Sequence, residues 1–225
     1  MMTIARTFSI LTLCTLLASC AGEYRIEGTS QITGLDGRSL SLRTLRDGRW
    51  LAVDSAEVVH GYFTMKGRPD SVMMVALFMD DENLMPLVLE PGRIKVTIDN
   101  AQFLASGTPL NDALYDFIGQ RNRMELMLDE FDRSMQPTRG DSLTLLMNRY
   151  VHDFITANCN NVLGPGIFMI MCSTLPYPVV TPQLDSILRD VPQSFLCNRL
   201  VEEWLAKARE NARMLEEHRT YRPFY

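Results

Sequence analysis

Among the 225 residues are five cysteines, three histidines and 14 methionines, the side chains with most scope for redox or metal chemistry. Cys159, Cys172 and Cys197 form no Cys-x-x-Cys pair. In an oxidising compartment one pair of them could close a structural disulfide and leave one thiol free. Cys172, in "MIMCST", and Cys197, in "SFLCNR", lie in apolar helical contexts where free cysteines pack as inert core residues. Core packing is the leading reading, with a disulfide and a redox thiol as alternatives. His60, His152 and His218 lack ligand spacing such as H-E-x-x-H, so no zinc site is expected. His60 precedes Gly61 and reads as a turn or surface residue. The methionines of "VMMVALFM" and "FMIMC" sit in apolar runs and fill core gaps rather than bind Cu(I). "MDDEN" (79–83) lacks the spacing and glycine of a calcium loop and reads as a solvated hairpin turn. Glu125, Asp129, Glu130 and Asp132 read as a solvated helix face. The sequence holds no G-x-S-x-G elbow, phosphate-cradling loop or nucleotide fingerprint. No catalytic residue, cofactor or metal is expected.

Cys20 has a different setting. Residues 1–19 carry Arg6 and then an apolar stretch over 8–17, about half of the roughly 20 residues that span a bilayer. That pattern predicts a secretory leader, with Cys14 an apolar filler within it. Leu17-Ala18-Ser19-Cys20 resembles the lipobox of bacterial lipoproteins. Small residues there admit the peptidase, and the thiol takes a diacylglyceryl group before cleavage. The expected mature protein begins at Cys20, held on a membrane by two or three acyl chains at ~0.8 kcal/mol per buried CH₂. Ala21, not Asp, follows the cysteine, which by the enterobacterial sorting pattern points to the outer membrane. The formal charge is -5, and losing Arg6 leaves -6. Nucleic acid, which needs a basic face to displace phosphate counterions, is an unexpected partner.

The elements that must position these residues change rhythm once. Over 23–107 the period is two. Ile94, Val96 and Ile98 alternate with polar neighbours, as do Phe63 with Met65 and Leu40 with Leu42. "VMMVALFM" (72–79) is apolar on both faces and predicts a central or helix-covered strand. Asp36-Gly37 and Asp47-Gly48 suit tight hairpins, and "EPGR" (90–93) suits a type II turn. From Thr108 the period is helical: Thr108 as N-cap, Pro109 first, then Leu110, Leu114, Phe117, Ile118, Met124, Leu128 and Phe131. Residues 136–140 break the run. A second helix carries Leu143, Leu146, Met147, Tyr150, Val151, Phe154 and Ile155. A short segment at 167–174, a brief helix after Pro182 and a long one over 194–218 follow. The expected fold is α+β: an antiparallel β-sandwich or open barrel over 20–107, then an α-helical region over 108–225 packed on it. The aromatic, basic tail "YRPFY" (221–225) is expected to dock back.

Three segments carry a family look: "DSAEVVHGYFTMKG" (54–67), "LEPGRIKVTID" (89–99) and "SGTPLNDALYDF" (106–117). They resemble domain-of-unknown-function family 4369. That domain commonly forms the N-terminal part of lipid-anchored or periplasmic thioredoxin-like proteins of the TlpA/ResA kind. "NCNNVLGPGIF" (158–168) is similar to the family's helical connector. The resemblance implies a fold and an envelope location. Longer relatives carry a Cys-x-x-Cys thioredoxin domain, and no such pair occurs here. The expected function is a lipid-anchored, non-catalytic binding or assembly module with a protein partner in the envelope. The alternatives are an accessory to thiol–disulfide exchange and capture of a small ligand or glycan between sheet and helices.

Overall fold

Alternation along the N-terminal half produces strands with one apolar and one wet face. The structure, a computed structural model, describes residues 22–220, except the side chains of 218–220. The expected leader, Cys20, the tail 221–225 and the His218 side chain lie outside that description.

The strands are β1 (Tyr24–Ser30), β2 (Ser39–Arg46), β3 (Arg49–Glu57), β4 (Tyr62–Gly67), β5 (Met73–Met79), β6 (Glu82–Leu89), β7 (Gly92–Ile98) and β8 (Phe103–Ser106). They form two four-stranded sheets, ordered β4-β1-β7-β8 (sheet I) and β3-β2-β5-β6 (sheet II). The inner faces share one core: Ile26, Phe63, Met65, Ile94, Val96 and Ile98 from sheet I, Leu40, Leu42, Leu77 and Leu87 from sheet II. Each such aliphatic side chain contributes about 1.5–3 kcal/mol by leaving water. The fold is α+β with no closed barrel, as the alternation implied. One pairing departs from the antiparallel expectation: β1 runs parallel to β7, Ile26 opposite Ile94 and Gly28 opposite Val96. Parallel neighbours need a long crossover, here β2 to β6, which visits sheet II twice and sheet I once at β4.

The turns sort by backbone sign. Asp47 (φ 53°) and Gly48 (φ 69°) both have positive φ, the two-residue turn that matches strand twist in the β2–β3 hairpin. Asp36-Gly37 is corrected. Asp36 is extended and Gly37 has φ 76°, with the Arg38 N–H bonded to the Leu35 carbonyl at 3.0 Å. That is a type II turn after a 3-10 turn, not a hairpin. Gly92 takes φ 128°, but "EPGR" carries the chain from sheet II to sheet I.

The helices are α1 (Pro109–Arg133), α2 (Pro137–Ala157), α3 (Leu163–Ser173), α4 (Pro182–Asp190), α5 (Gln193–Leu196) and α6 (Arg199–Thr220). Phe117 of α1 stacks on Phe154 of α2, centroids 4.2 Å apart, and Phe168 of α3 meets Phe195 and Trp204 edge-on. Three helical expectations are corrected. Leu146 of the second stripe is 54% exposed. The third helix begins at Leu163 and takes in Gly164-Pro165-Gly166, since proline in a first turn has no N–H bond to lose. The helix expected over 194–218 is broken at Cys197-Asn198, where the Asn198 side chain accepts the Leu200 N–H at 3.2 Å. Among the described residues no helix is long and apolar enough to cross a membrane.

Candidate functional site

The outer face of sheet II is where strands and helices meet. Val88 of β6, opposite Met74 of β5, needs partners for its backbone because α1 covers it. Asn111 supplies both: Oδ1 accepts the Val88 N–H at 3.0 Å and Nδ2 donates to the Val88 carbonyl at 2.8 Å. Nδ2 also donates to Thr108 Oγ1 at 2.9 Å. Buried Glu90 accepts the Leu110 N–H at 2.8 Å and the Asn111 N–H at 3.1 Å. Thr108 holds the N-cap position without a side-chain bond to the helix backbone, so Glu90, remote in sequence, does the capping and places its negative charge at the positive end of α1. Tyr115 donates its O–H to the Pro86 carbonyl at 2.9 Å, and burial raises the pKa of that phenol. This network fixes α1 on β6.

Beside it opens a cleft of about 400 Å³, lined by Pro86, Gln102, Phe103, Tyr115, Ile118 and Asn122 among others. Asp99 also lines it, its Oδ1 accepting the Ala101 and Gln102 N–H groups at 2.8 and 2.7 Å, and aromatic faces beside these polar groups suit a small polar ligand. Sequence pattern alone missed this cleft, because β6, α1 and the loop after β7 meet only through folding.

The three cysteines are apart in kind. Cys172 of α3 is buried, and desolvation pushes its thiol up to about 12, so it stays protonated at neutral pH. Core packing therefore describes Cys172. Cys197 is corrected from an apolar to an exposed position. It caps the end of α5, and Phe195, 1% exposed, takes the inward position instead. Cys159 is half-buried just beyond α2, and all three are free thiols in the structure.

The histidines and carboxylates hold local positions. Exposed His60 (φ 53°) and half-buried Gly61 (φ 76°) form a two-residue turn. His152 contacts Asp153 at 3.2 Å and Asp190 at 2.9 Å, tying α2 to α4. The "MDDEN" acids form the β5–β6 turn. Arg38 binds Asp80 there, and Arg43 reaches Asp81 and the Asp80 carbonyl. Two guanidiniums thus occupy the place a cation would take. Among the described residues no three His, Cys, Asp or Glu side chains converge as a metal site. Met74 packs against Gly166, and Met73, Met79, Met169 and Met171 pack against the core, gap-filling roles as expected from their apolar runs.

The edge strand β3 stands out on the surface. Arg49, Trp50, Leu51, Ala52 and Val53 are exposed in succession. Val53 is unpaired, because Ala52 lies opposite Arg43 and Asp54 opposite Leu42, which makes it a bulge. The bulge shifts the inward-outward alternation after Ala52, and Trp50, Leu51 and Val53 are all exposed, Trp50 and Leu51 on opposite faces of the strand. Trp50 is steadied edge-on by Phe78, centroids 5.0 Å apart, and Arg43 lies over that Phe78 ring. The unalternating "RWLAV" carried this signal in the sequence.

An α+β protein whose eight described strands pair in two sheets and lead directly into a bonded helix is the class these features define. Residues 24–114 match the family model described as a domain of unknown function, DUF4369, so the N-terminal part of the chain carries that domain. The match ends at Leu114, after the α1 turns that Glu90 and Asn111 hold, so the matched segment includes the helix start with the strands. No curated protein and no solved structure matches the chain.

Proposed function

We propose that this chain is a lipid-anchored protein of the bacterial cell envelope, tethered through Cys20, that acts as a non-catalytic assembly module for a protein partner. The anchor rests on Leu17-Ala18-Ser19-Cys20 and the apolar leader before it, and Ala21 favours the outer membrane. The observation that carries the partner is the apolar strip of β3, Trp50, Leu51 and Val53, each about two-fifths exposed (44%, 43% and 39%). Exposed apolar side chains along an edge strand attract association unless a partner covers them. The steadied Trp50 has the rigid aromatic area that anchors interfaces. A photo-crosslinking residue at position 51 of the anchored protein tests this in cells. The expected result is one discrete adduct, lost when Val53 is changed to Lys. No adduct, or an unselective smear that Val53→Lys leaves unchanged, would refute it.

The cleft beside Tyr115 favours a second reading, capture of a small neutral ligand such as a saccharide. Its carboxamides, Gln102 and Asn122, and the carboxylate of Asp99 match the hydroxyl groups of a saccharide. Thermal denaturation against a panel of neutral saccharides should show a raised Tm that Asn122→Leu abolishes. A flat panel rules the reading out.

A further inference from the structure

The outer face of sheet I carries cations in paired register. Lys66 of β4 lies opposite Arg25 of β1, and Arg25 lies opposite Arg93 of β7. Paired residues of neighbouring strands project from the same face, so the three form one row across the sheet. Lys95 follows in the next row on β7, opposite Glu27, and Arg68 continues just beyond β4. All five are exposed. Two carboxylates are paired to them: Glu27, at 2.9 Å from Arg25 and 3.6 Å from Arg93, and Glu23, at 3.7 Å from Arg68. In a chain of net charge -5 this face runs against the overall sign. Like charges directly opposite one another destabilise a sheet, and no core contact requires these side chains.

The row lies at the start of β1. Gly22 abuts Pro91, and the Gly92 N–H bonds the Glu23 carbonyl at 3.1 Å, so the first described residues sit at the end of β7 that bears Arg93. Cys20 is two residues before Gly22, a reach of roughly 7 Å, and Arg25 is three residues after it, roughly 10 Å away. An acyl chain on Cys20 would therefore hold this face near headgroups, within a few Debye lengths at physiological salt.

We propose that the outer face of sheet I, through Arg25, Lys66, Arg68, Arg93 and Lys95, docks on the anionic surface of the bilayer that holds the anchor. The inference rests on the anchor reading and adds an orientation to it. Bilayer phosphates neutralise the like-charged row, and the docked face leaves the apolar β3 strip of the other sheet to a protein. Basic residues close to an anionic leaflet strengthen attachment additively and in a salt-dependent way.

The sequence supplies its own probe. Its three lysines are Lys66, Lys95 and Lys207, two on this face and one exposed on α6. The full chain purified from membranes is reconstituted on vesicles of neutral phosphatidylcholine, or of phosphatidylcholine with phosphatidylglycerol. It is then labelled with an impermeant amine reagent and read by peptide mass spectrometry. The expected result is labelling of Lys66 and Lys95 slowed by about fivefold or more on the anionic vesicles, with Lys207 unchanged. High salt, or Arg25→Gln with Arg93→Gln, should remove the protection. Equal rates at Lys66 and Lys95 on both vesicles overturn the proposal, as does equal slowing at Lys207. Equal protection by inorganic phosphate on neutral vesicles would show a small-anion site and overturn the bilayer assignment. Retention on neutral vesicles reads the anchor separately: a chain that washes off them refutes the anchor, while its footprint on anionic vesicles still decides the face.

Discussion

The outer faces of the two sheets meet opposite surroundings. On sheet II, Ala76, Phe78 and Val88 are buried, with Asn111, Tyr115 and Gly166 of the helices bonded or packed against that face. On sheet I, the equivalent positions hold Arg25, Lys66, Arg93 and Lys95 in water. The difference teaches where each kind of constraint lies. A covered face must satisfy every backbone group it buries, which concentrates cost on a few polar side chains such as Asn111. An open face is free to vary its charges without endangering the fold, so a run of like charge there reports on surroundings rather than on stability.

That contrast can be broken most severely at Asn111. Asn111→Leu keeps the volume but strips partners from the Val88 N–H and carbonyl, with an expected loss of about 3–4 kcal/mol in urea unfolding at unchanged m-value. Were Asn111→Leu neutral, helix and sheet would not be coupled there. Next comes Gly166, whose added Cβ would run into the Met74 thioether. Gly166→Ala is expected to cost roughly 1–3 kcal/mol, and combining it with Met74→Ala should recover part of it. Strict additivity in that cycle would deny the contact.

Tyr115→Phe removes one buried hydrogen bond, for about 1 kcal/mol. Alkaline pH probes the same region. The folded-state pKa values of Tyr115 and Cys172 are raised by burial. The folded state thus holds protons that the unfolded chain releases, and stability falls as pH rises from about 9 towards about 12. Urea midpoints across that range should show a fall that is shallower in Cys172→Ala. The smallest effect belongs to the open face. Arg25→Gln should change stability by no more than about 0.5 kcal/mol and in the favourable direction if relief of like charge prevails. A large destabilisation would mean the row serves the fold.

The same two faces explain what the sequence could disclose. Ile94, Val96 and Ile98 alternate, and "VMMVALFM" does not, so a one-sided strand and a covered central strand were both readable from local period. The α1 stripe and the Asp47-Gly48 hairpin were readable for the same reason, each being a property of a few consecutive residues, whereas Asp36-Gly37, alike in sequence, turned out to be no hairpin. The parallel register of β1 on β7 was not, since no local pattern relates Ile26 to Ile94. Capping of α1 by Glu90 was hidden likewise, and Thr108, with the right type and position, drew the expectation instead. The break before α6 turns on Asn198, a polar residue whose capping role shows only once Phe195 is seen turned inward. Of the candidate residues, Cys172 was legible because its neighbours are apolar. Cys197 was misread, because "SFLC" gives no phase for a helix of one turn.

The covalent anchor proposed at Cys20 is tested most directly by mass spectrometry of the amino-terminal peptide of protein extracted from native membranes. The predicted result is a peptide that begins at Cys20 and carries the added mass of a diacylglyceryl group. An unmodified cysteine, or a chain retaining residues 1–19, would contradict it.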